Sequence, residues 1–189
     1  ICVLCLVDMW QIDKRYLNDG MFVEKSVREN PIQMTATDKQ ILQDKTECGN
    51  YRVLNFASNT FSENETSYFH KSLGGYHPAK LRRYQEMIER YIQPQMQKAM
   101  TAIVEAGGDM TKVNGDSIYP VISMLNAKYF VMPLNGGQTV PIMNPYAYGV
   151  AWFVDKVSFV DNANQEMDLM AKIDLRHEAV ADKKFARQI

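Results

Sequence analysis

Leu81, Tyr84, Ile88, Tyr91 and Ile92 recur at the three- and four-residue spacing that lines up one face of an α-helix. No other pattern in this 189-residue chain constrains its fold as strongly. Pro78 suits the first helical position, because its missing N–H has no intrahelical partner to lose there. Pro94 interrupts the run, and Met96, Met100 and Ile103 then carry the stripe to Ala106, where Gly107 and Gly108 end it. The pattern predicts one long or kinked helix at about 78–106. Its broad apolar face has to be covered, so the rest of the chain must supply a layer against it.

That layer reads as a mixed β-sheet. "YRVLNF" (51–56) and "AKYFVMP" (127–133) are strand candidates bounded by turn residues. "LNGGQ" is a hairpin signal leading into "TVPIM", where Pro141 argues for an edge position. "GVAWFVDKVSFV" (149–160) reads as a further strand whose alternation slips near Asp155-Lys156, and "RHEAVADKKF" closes with a short one. Between them, Thr37 and Gln40 form a capping-box pattern for a helix ending near Cys48-Gly49-Asn50. "GDSIYPVISMLN" predicts a short helix with Asp116 or Ser117 near its start. "NANQEMDLMAKI" predicts another, with Met167, Met170 and Ile173 on one side. Residues 18–35 and "ASNTFSENETSYFH" (57–70) read as loops. "ICVLCLVDMW" is too short to cross a bilayer and reads either as a buried first strand or as the tail of a truncated membrane span. The fold class is α/β, with α+β as the alternative: a mixed sheet with helices packed against it, in a single soluble domain over 1–189.

With 21 basic and 22 acidic residues the formal net charge is −1, which removes the bulk electrostatic case for a nucleic-acid binder. Cys2, Cys5 and Cys48 form no CxxC pair, and His70, His77 and His177 lack metal-ligand spacing, so no metal and no disulfide framework are expected. There is no Walker loop, GxGxxG, HExxH or GxSxG. Nothing selects one carboxylate pair among the 22 acidic residues, so no catalytic residue and no cofactor are nominated.

The stretch "SYFHKSLGGYHPAKLRRYQEMIERYI" (67–92) places cations where a helix macrodipole opposes them. Two explanations stay open. A glycine turn running into a helix start can present backbone N–H groups to an anion. On that reading His70, Lys71, Gly74, Gly75, Tyr76, His77, Lys80, Arg82, Arg83 and Tyr84 would hold a phosphate or a lipid headgroup. Alternatively, Arg82, Glu86 and Arg90 form a solvated ladder worth a few tenths of a kcal/mol per pair. Lys80 and Arg83 fall outside that ladder, and the Lys80 stem would cover apolar surface beside Tyr84.

Taken in order, "ATDKQILQDK", "YRVLNF", "SYFHKSLGGYHPAKLRRYQEMIERYI", "MLNAKYFVMP" and "NPYAYGVAWFV" resemble the motif series in the extracytoplasmic region of YfhO-like bacterial membrane proteins, in a Bacteroides-type version. The likeness runs from about Asp8 to about Phe185, and "KSLGGYHPAKLRRYQ" is its specific element. The resemblance implies a soluble domain cut from a polytopic parent related to the glycosyltransferases that use lipid-linked sugars. Residues 1–10 would follow the last preceding membrane helix, on the periplasmic face of the inner membrane, and a β-rich segment would follow the fragment. Catalytic carboxylates in that class lie in early membrane loops, so the fragment is expected to be inactive alone. Its implied partners are its own membrane domain and a polyprenyl-phosphate sugar or anionic lipid. Three roles follow: an accessory domain of a membrane glycosyltransferase, a non-catalytic scaffold or envelope-binding domain, or a free-standing soluble enzyme.

Overall fold

A computed structural model describes residues 2–187. The chain divides between Gln33 and Met34 into two compact units, whereas the sequence reading runs one domain across 1–189.

In the first unit, helix α1 (Cys2–Tyr16) replaces the first strand expected over residues 1–10, of which Ile1 lies outside the described residues. Lys14 and Arg15 fall in its last turn, where the helix dipole favours cations. None of its residues is buried, and Val3, Leu4, Leu6, Val7, Met9, Trp10 and Ile12 are all exposed. No helix among the described residues is long and apolar enough to cross a membrane. Helix α2 (Lys25–Glu29) lies inside the segment read as a loop.

The second unit is built on a three-stranded mixed sheet in the order β1-β2-β3. Strand β1 (Arg52–Asn55) runs parallel to β2 (Ala127–Pro133), and β2 pairs antiparallel with β3 (Thr139–Met143) through the Asn135–Gly137 turn. Gly136 and Gly137 both take positive φ there, which explains the paired glycines. Pro141 sits on the edge strand opposite Val131, where its missing N–H costs no ladder bond on the open side. Strands β4 (Lys156–Val160) and β5 (Glu178–Asp182) make a separate parallel pair. Residues 149–155, expected to extend β4, are loop. The alternation slip at Asp155-Lys156 marks the strand's start, where the N–H groups of both residues reach the His177 carbonyl.

Helix α3 (Ala36–Leu42) is capped two residues before the expected position. Thr35 and Asp38 form the capping box, while Thr37 is buried and donates its hydroxyl to Thr139 O at 2.8 Å. A Thr-x-x-Asp pair at the true boundary outcompetes Thr37–Gln40, because a carboxylate is the stronger acceptor. The polar stretch 57–70 contains helix α4 (Glu65–Phe69).

The long helix starts at Arg82 rather than Pro78, since His77 Nδ1 accepts from Ala79 N and closes a separate turn. It runs as α5 (Arg82–Met87), a π-helical turn (Ile88–Ile92) and α6 (Gln93–Glu105). Pro94 neither breaks nor ends it. The wider π turn makes room for the proline ring, which would otherwise strike the carbonyl four residues back. Its apolar face supplies Ile88, Ile92, Ala99 and Ile103 to the main core, packed with Leu54, Leu73, Tyr119, Val121, Ile122 and Phe130.

The helix expected over 115–126 is two, α7 (Gly115–Ile118) and α8 (Pro120–Met124). Tyr119 precedes Pro120, whose ring bars it from the α region, and it sits at φ −141°, ψ 52°. Asn114, ahead of both Asp116 and Ser117, caps α7. Helix α9 (Ala163–Met170), capped by Asn162, packs against β4 and β5.

Candidate ligand-binding cleft

The ten residues singled out around the glycine turn do not assemble into one site. His70 and Lys71 line a cleft of about 530 Å3 together with Leu42, Asp44, Lys45, Gly49, Tyr51, Ser67, Tyr68 and Phe69. The other eight residues lie outside that lining.

The glycine turn is occupied by the protein itself. Gly74 N donates to Ser72 Oγ (3.0 Å), Gly75 N to Thr60 O (2.7 Å), and Tyr76 N to Glu63 O (2.9 Å) and Asn64 Oδ1 (3.1 Å). An anion cradle needs those N–H groups unengaged. Gly74 is a packing residue, because a Cβ there would lie 2.0 Å from Thr60 O. Tyr84 points its hydroxyl at Leu73 O, and burial raises its pKa.

The three cations at the helix start each have a partner. Arg82 Nε meets Glu86 Oε1 at 3.0 Å, Arg83 pairs with Glu166 of α9 at 3.5 Å, and the Lys80 ammonium sits 5.5 Å from the centre of the Phe61 ring. Only the first rung of the expected ladder forms, since Arg90 turns away to Asp168 at 3.0 Å.

The cleft draws on three segments. His70, which follows α4, is fixed from behind, its side chain 2% exposed and its Nε2 lying 2.9 Å from Asp38 Oδ1. Asp38 Oδ2 accepts from Thr35 N (2.8 Å) and Thr35 Oγ1 (2.6 Å). Burial pushes the Asp38 pKa up, but the Thr35 and His70 hydrogen bonds outweigh it and hold the carboxyl below its ordinary value. One buried pair therefore joins the start of α3 to the end of α4.

Asp44, the one carboxylate in the lining among the described residues, is held far below the usual carboxylate range. The Thr46 hydroxyl contributes most, followed by Lys128, whose ammonium lies 2.9 Å away, with Tyr129 adding a hydrogen bond at 2.8 Å. Burial and that carboxylate together push Tyr129 up to about 12. Asp44 is thus a fixed anion with little capacity to exchange a proton near neutrality. Aromatic surface completes the cleft: Tyr51 is buried with its hydroxyl on Ile41 O, while Tyr68 is 61% exposed and meets Phe69 edge to face at 5.7 Å.

Lys45, Tyr51, Tyr68 and Phe69 were not among the expected site residues. Tyr68 and Phe69 stand directly before His70 in the quoted stretch, and Lys45 ends "ATDKQILQDK", so the signal was two motifs meeting in space. Lys71 also borders a second groove of about 380 Å3 lined by Asn50, Arg52, Met124, Asn126, Gly149, Val150 and Trp152. Comparison of the chain with protein-family models, with characterised proteins and with solved structures found no match.

Proposed function

We propose that this chain is an extracytoplasmic, membrane-proximal accessory domain of a YfhO-like membrane glycosyltransferase, binding and positioning a lipid-linked sugar or envelope glycan. The observation that carries this reading is the cleft at His70 and Lys71. Exposed aromatic surface from Tyr68 and two lysines, Lys45 and Lys71, suit the apolar face of a sugar and an attached phosphate. Its single carboxylate is already engaged, which favours binding over turnover. Helix α1 supports the membrane-proximal placement, because its apolar side chains are exposed around the whole circumference, and Trp10, Tyr16, Lys14 and Arg15 gather toward one end in the manner of a membrane interface.

The test is titration of the chain with N-acetylglucosamine 1-phosphate and with N-acetylglucosamine, read by backbone amide shifts. The phosphate ester is expected to move the amides of Lys45 and Tyr68 to Lys71. Lys45→Ala is expected to weaken it about tenfold, the size of one charge-assisted hydrogen bond. The Lys80→Glu, Arg83→Glu double variant should bind as the wild type does. Shifts centred on residues 80–83, or no binding of either compound, would replace this reading with the scaffold role.

A further inference from the structure

The loop between β3 and β4, residues 144–155, exposes Val150, Trp152 and Phe153 within four residues. From Asn144 to Val154 it carries no charge. Its first half is pinned. Buried Asn144 donates to Ala127 O at 2.9 Å, the Tyr146 hydroxyl donates to Val113 O at 2.8 Å, and Tyr148 N reaches Ser123 O at 3.1 Å. Arg176, itself paired with Asp116, lies 4.4 Å over the Tyr148 ring, and Trp152 packs edge-on against Tyr148 at 5.1 Å. Beyond this footing Val150 is 60% exposed and Phe153 fully so. A rigid base thus presents large apolar side chains to solvent, where each forgoes about 1.5–3 kcal/mol of burial.

Charge beside the loop selects the occupant. Val150 and Trp152 share their groove with Arg52 and Lys71, and no carboxylate among the described residues lines it. Arg52 donates to Leu125 O and Lys71 to Asn50 Oδ1, and neither pairs with a carboxylate among the described residues. An uncharged aromatic tip flanked by two cations matches the layering of an anionic bilayer surface, with phosphates at the level of the cations and acyl chains beyond.

We propose that this loop and groove are a membrane-docking surface, in which Arg52 and Lys71 take the phosphate of an anionic phospholipid and Val150, Trp152 and Phe153 enter the outer acyl layer. The inference rests on the membrane-proximal placement proposed above; it shares Lys71 with the cleft and takes Arg52, Val150, Trp152 and Phe153 from outside it. It gives the second unit a defined face toward the membrane surface.

The chain has two tryptophans, Trp10 in α1 and Trp152 in the loop, so each surface can be read alone. In the Trp10→Phe protein, mixed with phosphatidylglycerol–phosphatidylcholine vesicles, Trp152 emission is expected to shift to the blue and to be quenched by brominated acyl chains. Adding Arg52→Gln and Lys71→Gln should lower the docked-to-free ratio roughly 25-fold, about fivefold per charge. In the Trp152→Phe protein, Trp10 reports α1. Quenching of Trp10 with a silent Trp152 overturns the loop proposal and leaves α1 as the membrane contact. Quenching of Trp152 with a silent Trp10 supports the loop and removes α1 as a membrane contact. Equal quenching of Trp152 in pure phosphatidylcholine overturns the role of Arg52 and Lys71.

Discussion

Replacing Asp38 with alanine removes three contacts at once, and the structure allows each to be weighed. Two belong to the capping box of α3, from Thr35 N and Thr35 Oγ1, and loss of such a cap costs about 1 kcal/mol. The third leaves His70, nearly fully buried, without its partner, which adds roughly 1–3 kcal/mol. Asp38→Ala is therefore expected to cost about 2–4 kcal/mol, a large share of the ~5–15 kcal/mol by which domains are stable. Thr35→Ala, which touches only the cap, should cost about 1 kcal/mol. Urea unfolding at neutral pH measures both, with Asp38→Ala combined with His70→Gln to close a double-mutant cycle. The pH dependence has a defined sign. Because the folded Asp38 pKa is lowered, its contribution is present above the unfolded value of about 4 and is lost as pH falls through the folded one. Asp38→Ala should lack that part of the acid sensitivity. Equal costs for Asp38→Ala and Thr35→Ala, with no coupling to His70, would refute the claim that this pair joins α3 to the cleft.

Two further predictions concern packing. Gly74→Ala drives a methyl group into the Thr60 backbone and should cost about 2 kcal/mol or more, read as a fall in Tm of roughly 4 °C or more by scanning calorimetry. Gln95 Oε1 accepts from both Val121 N (3.0 Å) and Ile122 N (3.3 Å), capping α8 from α6. Gln95→Ala should lower the urea midpoint by the equivalent of about 1–2 kcal/mol, and Gln95→Glu, which keeps the acceptor, should restore most of it.

The central sheet was legible because its signals are local. The Asn-Gly-Gly turn, Pro141 on an edge and the β-branched and aromatic run of β2 each act within a few residues, and the strands fall where those signals place them. The cleft was not legible, for it depends on Asp38 meeting His70 across 32 residues and on Tyr51 lying under Lys128. No spacing rule encodes such a meeting. The glycine turn misled for the opposite reason. "SLGGY" has the local pattern of an anion cradle, but Thr60, Glu63 and Asn64, brought in by the preceding loop, take its N–H groups first. The first segment misled because a short apolar run has no intrinsic preference strong enough to separate strand from helix.

The π turn at Ile88–Ile92 acts on the long helix as an angular offset. A single extra residue in the hydrogen-bonded ring rotates everything beyond it by about 100°. The amino-terminal half is thereby indexed to Leu73 and Met167 through the Tyr84 and Tyr91 hydroxyls, while the carboxy-terminal half is indexed to α8 through Gln95. A regular helix of the same sequence could satisfy one half or the other. The shaft thus fixes the rotational phase between the side of the fold that carries the glycine turn and the side that carries the loop of Trp152.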